Sequence, residues 1–489
     1  MLNPTSEQKQ VRIEKLKKIE EMGINPYPNI FKPNITSKEL NEKYKDLPNE
    51  TQTFDEVIVA GRVKAVRNSG MFMDIYDTTG KIQIFSSKEN LPENEKAKIA
   101  LLDIGDYIGI KGSIKRTKRG ELSVSTSEVT ILSKSLQPLP EKFHGLTDIE
   151  MKYRQRYVDM IMNEETVNTI KKRSAIISEF RKCLTEKGIL EVETPILQPI
   201  MGGANAKPFI THHNTLDMDM YLRIAPELYL KRLIVGGLEG VFEIGRLFRN
   251  EGLDIKHNPE FTTMEVYWIY KDYFDMMDLC EELIKRACMV ANGTLQIKYG
   301  DREIDLSKPF ERRTMASLIK EHTGLDFMAF ADDAEAKDKC KGIVEIKDND
   351  TWGDLMVRVF EEKCEDKITL PTHVMDHPVS SSPLTKTHRS DKRVVERFET
   401  YINGWEIANA YSELTNPIDQ YNRFKDQVAR REAGDDEANM MDDDFCTALE
   451  YGMPPTGGMG IGMDRLCMIL TDSPSIRDVI AFPTMRKLK

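Results

Sequence analysis

The sequence predicts an α+β protein, with a small strand-rich N-terminal part and a larger part that mixes helices with paired strands. Three observations carry this. From Glu56 to Leu132 the segments EVIVAGRVKAVR, MFMDIYD, KIQIFSS, DYIGIKGSIKRT and ELSVSTSEVTIL alternate apolar and polar residues between NSG, TTG and KRG turns, which is the pattern of short strands. The stretch SKSLQPLPEKFHGL, with its prolines and glycine, then breaks regular structure and reads as a linker. Beyond it, helical periodicity and strand alternation take turns, most densely in VFEIGRLFRNEGLDIKHNPEFTTMEVYWIY (241–270).

Five short strands with a helix-like insert at 93–102 suggest a Greek-key barrel of OB type. The expected domains are a helical extension (1–55), the barrel (56–140) and a large domain (141–489) with an insertion at about 290–370. The chain has 489 residues, enough for about three domains, or two if one is large. Charged residues make up 30% of it and the net charge is −11, which excludes a globally basic nucleic-acid binder. Any RNA contact must therefore be local, and no DNA partner is expected. The seven cysteines are scattered without a C-x-x-C pair, as expected of buried reduced thiols rather than a disulfide framework or a zinc site. Neither a signal-type apolar core near the N-terminus nor an apolar run of roughly eighteen residues occurs, so a cytoplasmic location without a membrane partner is expected.

Taken in order, residues 6–22 predict an amphipathic helix, with Val11, Leu16, Ile19 and Met22 among Lys9, Arg12, Lys15, Lys17 and Lys18, stopped by Gly23. Such a helix can dock on its own domain or lie against phosphates. On the barrel, Phe72, Tyr76 and Phe85 are candidate stacking faces. Arg62, Arg67, Gln83, Lys111, Lys115, Arg116, Lys118 and Arg119 are candidate donors for single-stranded nucleic acid. A helix over 165–187 presents Ile170, Ile177, Phe180 and Leu184 on one face and ends at Gly188; ILEVETPIL then reads as a strand terminated at Pro195. Gly202 and Gly203 let backbone amides approach a ligand, and Glu227 follows Pro226 at the start of a helix running to Val235.

In the 241–270 stretch, Phe242, Ile244 and Leu247 read as the buried side of one strand. Met264, Val266 and Trp268 alternate with Glu265 and Tyr267 on the next, so a carboxylate and a phenol point the same way. Between the strands Arg249, Glu251, His257 and Phe261 offer a guanidinium fork, a carboxylate, an imidazole and an aromatic face, the groups a nucleotide needs. A helix is expected over 272–290. In RFETYINGWEIANAYSEL, Glu399 and Glu406 lie on adjoining strands where they can converge as oxygen ligands for Mg²⁺ held jointly with substrate phosphates. The acidic run 430–444 reads as a solvated helix and loop. Gly458, Gly460 and Gly462 precede Asp464 and Arg465, but no Lys-Ser or Lys-Thr follows them as a phosphate loop would require.

FRNEG, HNPEF and the following E-x-Y resemble motif 2 of the class II aminoacyl-tRNA synthetases. The 165–187 helix with ILEVETP resembles motif 1, and TGGMGIGMDR resembles motif 3. With APELYLKRLIVGG and RFETYINGWEIANAYSEL, nearly the whole chain resembles the lysyl branch of that class. The resemblance implies a catalytic domain built on an antiparallel sheet flanked by helices, an anticodon-binding barrel, and a homodimer formed through motif 1. The implied reaction is ATP-dependent activation of L-lysine to lysyl-adenylate, with Mg²⁺, and transfer of lysine to the 3′ end of tRNA(Lys).

Carried to this sequence, the resemblance assigns Arg249 and Arg465 as catalytic residues at the phosphates of ATP and Phe261 as the adenine stack. Glu251, His257 and Gly462 complete the ATP site, and Glu399 and Glu406 become metal ligands. Gly203 and Glu227 match contacts to the α-amino group. Glu265, Tyr267, Asn409, Tyr411 and Glu413 line the lysine pocket, which Arg249 also borders, and Arg67, Phe72 and Gln83 match anticodon contacts. An ammonium taken out of water needs compensating charge, which the glutamates supply, whereas an aspartate-specific relative would need cations there. Glu413 and the NAYSEL segment argue against an aspartate or asparagine enzyme. The barrel argues against a protein-lysylating paralogue, and the presence of Arg249, Arg465 and the acidic pair argues against a non-catalytic tRNA binder.

Overall fold

The computed structural model describes residues 6–87, 89–140, 149–434 and 437–488. The chain divides into two compact units, Met1–Thr147 and Asp148–Lys489. The expected domain junction at 140/141, and the second half of the linker, lie against or within residues outside the described ones.

In the first unit, α1 (Glu7–Glu21) and α2 (Ser37–Lys43) precede β1 (Gln52–Arg67), β2 (Phe72–Tyr76), β3 (Lys81–Phe85), α3 (Glu93–Ala100), β4 (Tyr107–Arg116) and β5 (Leu122–Ser133). The strands close into a barrel in the order β1-β2-β3-β5-β4. Period-two alternation sends Val63, Met73, Ile75, Ile84, Ile110 and Val124 inward, where all are fully buried. Gly112 is required where β4 meets β5, since a Cβ there would sit 2.1 Å from the Ser125 carbonyl oxygen. Helix α1 docks on this unit through its polar side as well as through Ile19. Arg12 is buried and donates to the carbonyls of Ile104, Ser135 and Gln137, while Lys15 pairs with Asp103 at 2.6 Å. Ile19, together with Leu40 of α2, belongs to the barrel's own apolar cluster.

In the second unit, α4 (Ile149–Arg154), α5 (Arg156–Met162) and α6 (Glu164–Glu186) lead to β6 (Leu190–Glu191), β7 (Leu197–Gln198), β8 (Ile210–His213) and β9 (Met218–Leu222). There follow α7 (Glu227–Val235), β10 (Gly240–Phe248), β11 (Glu260–Ile269) and α8 (Tyr273–Asn292). Next come β12 (Gln296–Tyr299), β13 (Arg302–Asp305), β14 (Glu311–Thr314), α9 (Met315–Thr323), α10 (Asp333–Cys340), α11 (Trp352–Lys363) and β15 (Thr372–Met375). The chain continues through β16 (Arg397–Ile402), β17 (Trp405–Ser412), α12 (Pro417–Glu432), α13 (Asp443–Glu450), β18 (Thr456–Gly462), α14 (Met463–Leu470) and α15 (Ile476–Val479). The main sheet has eight strands in the order β14-β15-β16-β17-β18-β11-β10-β6. It is antiparallel through its centre and parallel at both edges, where β14 meets β15 and β6 meets β10. One face packs on α6, α8 and α14 through Phe180, Phe242, Met264, Val266, Leu283 and Leu466. The other carries the candidate site.

Two expectations are corrected here. The strand expected to run up to Pro195 is confined to Leu190–Glu191, with a single further bond from the Val192 amide to the Phe242 carbonyl. Pro195 has no amide to donate to a continued ladder. Leu247 does not share a face with Phe242 and Ile244. It lies an odd number of residues away, pairs with Phe261 and faces the site. The 290–370 stretch is folded: α9 to α11 enclose their own core of Leu318, Phe327, Trp352, Met356 and Phe360, and β14 extends the main sheet.

Candidate active site

The open face of β10, β11, β17 and β18 forms the floor of a cavity of about 440 Å³, within the range of small-molecule sites. Register places the floor in rungs. Glu265, Gly460 and Asn409 lie side by side, as do Tyr267, Gly458 and Tyr411. The glycines of β18 therefore sit between large polar residues, and their lack of side chains is what leaves the floor hollow. A Cβ at Gly458 would lie 1.9 Å from Glu413 Oε1 and 2.7 Å from the Tyr267 ring.

One end of the cavity is acidic. Glu265 is buried and accepts from the Tyr267 hydroxyl at 3.2 Å; burial, reinforced by Glu227, pushes its pKa up to about 8. Glu227, at the start of α7, does not cap the helix. It accepts from the Tyr411 hydroxyl at 2.7 Å and from Lys231 Nζ at 2.6 Å. Glu413 packs against Gly458, 1% exposed and ion-paired with Lys231; burial raises its pKa and Lys231 opposes that shift. Glu413 is not part of the cavity wall itself, which Gly458 and Tyr267 form at that point. Gly203 adopts φ +87° and donates its amide to Asn439 Oδ1 at 3.1 Å, and both residues line the cavity.

Another part of the cavity carries cations and an aromatic ring. The Arg249 guanidinium lies over the Phe261 ring, 5.2 Å from its centroid, and its Nε is buried without a hydrogen-bond partner. Burial lowers the Arg249 pKa, with Glu251 and Glu406 opposing the shift. A cation in this state is poised for an anion. Arg465 donates to Glu406 Oε2 at 3.1 Å and to His257 Nε2 at 3.0 Å. His257 thus carries its proton on Nδ1, where it meets Asp254 at 2.8 Å. Gly462 ends β18, and Asp464 anchors the following helix by accepting from the Thr262 amide and from Arg173, each at 2.6 Å. Glu399 accepts from Arg397 at 2.6 Å and from the Tyr401 hydroxyl at 2.8 Å. Burial, together with the negative charges of Glu399 and Glu406, raises the pKa of Glu361 and of Glu365. Among the described residues no group of three or more His, Cys, Asp or Glu side chains is preassembled for a metal. Two cavity carboxylates completed by phosphate oxygens and water suit Mg²⁺, which is seldom held in an all-protein cage.

The structure brings together Gly203, Glu227, Arg249, Glu251, His257, Phe261, Glu265, Tyr267, Glu399, Glu406, Asn409, Tyr411, Gly462 and Arg465 around this one cavity. Three residues of the site went unread in the sequence. Asn439 lies in the acidic run taken as solvated, yet it is 1% exposed and Ala438 beside it is also buried. Arg397 donates to Asn409 Oδ1 at 2.9 Å and shares the strand face of Glu399, a position that period-two spacing could have flagged. Lys231 stands one turn after Glu227, the spacing of a helical ion pair.

On the barrel, Phe72 and Phe85 pair on the outer surface at 5.2 Å, with Lys115 Nζ 4.6 Å above the Phe85 ring. Arg67 forks onto Asp74 with two bonds of 2.8 Å, and Gln83 accepts from the Ser123 hydroxyl. Arg62 and Arg116 are engaged internally instead, with the carbonyls of Gly105 and of Gly120, Tyr44 and Lys45.

Residues 148–486 match the family described as tRNA synthetases class II (D, K and N), and residues 57–132 match the OB-fold nucleic acid binding domain. The chain is 50% identical over 484 residues to a lysine–tRNA ligase of Sinorhizobium medicae, covering 99% of this chain and 97% of the relative. It is 52% identical to one from Clostridium botulinum, covering 97% and 95%, and 51% identical to one from Nostoc, covering 97% and 87%.

Proposed function

The chain belongs to the lysine–tRNA ligases of class II, ATP-dependent enzymes that charge tRNA with lysine, and from that premise we propose how the cavity divides the work. The acidic end takes the amino acid. The side-chain ammonium of lysine meets Glu265 and Tyr267, with Glu413 behind them, and its α-ammonium meets Glu227 and the Gly203 segment. The cationic end takes ATP, with adenine against Phe261, the α-phosphate at Arg249 and the γ-phosphate at Arg465, and with Glu251 and His257 beside them. The reading is carried by one observation: the buried carboxylates of Glu227 and Glu265 and the Arg249 guanidinium, whose Nε has no hydrogen-bond partner, line the same cavity.

With both substrates bound, the lysine carboxylate lies against the α-phosphorus. It is already ionised, so no general base is needed, and it forms the carboxyl–phosphate bond as the bond to pyrophosphate breaks. Arg249 stabilises charge on the α-phosphate, and Arg465 stabilises the departing phosphates. The ribose hydroxyl at the 3′ end of tRNA then attacks the mixed anhydride and releases AMP. Glu399 and Glu406 would hold Mg²⁺, which when bound supplies positive charge to the phosphates. On the barrel, the Phe72–Phe85 pair supports base stacking, with Arg67 and Gln83 at its edge.

Leu190, Ile196, Leu197 and Ile210 are exposed apolar residues in and around the motif 1 segment, which supports assembly as a homodimer through that surface. A cytoplasmic location fits an activity that consumes ATP and tRNA. The test of the site is amino-acid-dependent ATP–pyrophosphate exchange: Arg249→Ala should abolish it, while Glu265→Gln should raise the KM for lysine and leave that for ATP within about threefold.

A further inference from the structure

Lys231 is fully buried, yet it does not line the cavity. Its Nζ donates to Glu227 at 2.6 Å and ion-pairs with Glu413. The rings of Tyr411, Tyr267 and Phe445 surround it, with centroids 5.6, 5.9 and 5.9 Å away. Burial works against its charged form, but Glu227 and Glu413 outweigh that and hold its pKa above the usual range.

The acidic end holds three carboxylates, Glu227, Glu265 and Glu413, and one resident cation. The nearby Arg223 and Glu243 pair with each other at 2.5 Å and add no net charge. With all three carboxylates ionised around bound lysine, two negative charges are left over, the number of ammonium groups on free lysine, whose carboxylate falls to Arg249. Glu413 Oε1 is buried without a hydrogen-bond partner, packed into the space that the missing side chain of Gly458 leaves for it.

Resting on the lysine-pocket reading above, we propose that Lys231 is a specificity-determining positioning residue. It acts as a built-in counter-ion that sets the charge of the amino-acid end to match a diamine and orients Glu227 and Glu413 to receive it. An amino acid with a single ammonium then leaves one carboxylate uncompensated in a buried site. With Lys231 neutral, three carboxylates compete for two ammonium groups.

The decisive experiment compares full-length Glu413→Gln with the double variant Lys231→Met/Glu413→Gln in lysine-dependent pyrophosphate exchange. Glu413→Gln alone leaves one net negative charge, whereas the double variant restores two. Deleting the buried lysine should therefore lower the lysine KM of the Glu413→Gln enzyme by about tenfold, the scale of one mismatched buried charge, with the KM for ATP unchanged. Lys231→Met alone should raise it by a similar factor. A purely structural Lys231 would make the double variant as weak as Glu413→Gln or weaker, which overturns the proposal. The double variant carries a neutral buried pair, so the comparison stands even where Lys231→Met alone does not fold. If Glu265→Gln leaves the lysine KM unchanged, the pocket reading itself fails. If Glu265→Gln raises it but the sign reversal is missing, only the counter-ion role fails.

Discussion

Burial pushes the Glu265 pKa up to about 8 in the empty cavity, whereas the proposed lysine pocket needs this carboxylate ionised to accept an ammonium. Binding lysine below that pH therefore expels a proton. The lysine KM should fall as pH rises from 6 to about 8, by up to about tenfold per unit, and level off above. In Glu265→Gln this slope disappears; a lysine KM independent of pH in the unsubstituted enzyme would contradict the burial argument. Linkage also sets the sign for the ligand-free protein. The folded-state pKa is raised from the ordinary 4.5, so this group's stabilising contribution is complete below 4.5 and is lost as pH rises through about 8. Melting temperatures of wild type relative to Glu265→Gln should drop across that window. Gly458 is a second sharp site. The Cβ of Gly458→Ala has no room between Glu413 and the Tyr267 ring, so lysine activation should be lost while ATP still binds, measurable by equilibrium nucleotide binding.

At the scale of elements, α1 shows how composition can mislead. Its lysines and single arginine suit a phosphate surface, but Arg12 is consumed by three backbone carbonyls of its own unit. Arg12→Ala should lower the stability of that unit by about 2 kcal/mol, the scale of lost charge-assisted hydrogen bonds, read as a fall in denaturation midpoint. The barrel strands were legible because period-two alternation is strong when one face is a closed core, as Met73, Ile75, Ile82 and Ile84 demonstrate. The extent of ILEVETPIL was not, because a two-residue parallel edge pairing leaves no periodicity to read. The 430–444 segment misled through its charge. Asp442 and Asp444 are clamped by Arg232, and the chain between α12 and α13 turns inward at Ala438 and Asn439, a tertiary preference that local composition does not carry.

Across the whole molecule, the cavity was legible where polar and aromatic residues crowd into two strands and a loop, as Arg249, Phe261, Glu265 and Tyr267 do. It was hidden where partners meet only through folding. Lys231 finds Glu413 across 182 residues of sequence, and Gly203 finds Asn439 across 236. Separate units for anticodon and chemistry predict separable defects. Phe72→Ala should spare lysine-dependent pyrophosphate exchange while impairing tRNA charging by tenfold or more, the scale of one lost stacking contact; equal loss of both would remove Phe72 from base recognition. A homodimer predicts a sedimenting species near twice 56.1 kDa at micromolar concentration, and a monomer alone would refute it. An acidic pocket for lysine beside a cationic one for ATP stands or falls with the two Michaelis constants of Glu265→Gln in pyrophosphate exchange. The lysine KM should rise on the order of hundredfold with the ATP KM nearly unchanged. An unchanged lysine KM, or a parallel rise in both, would contradict it.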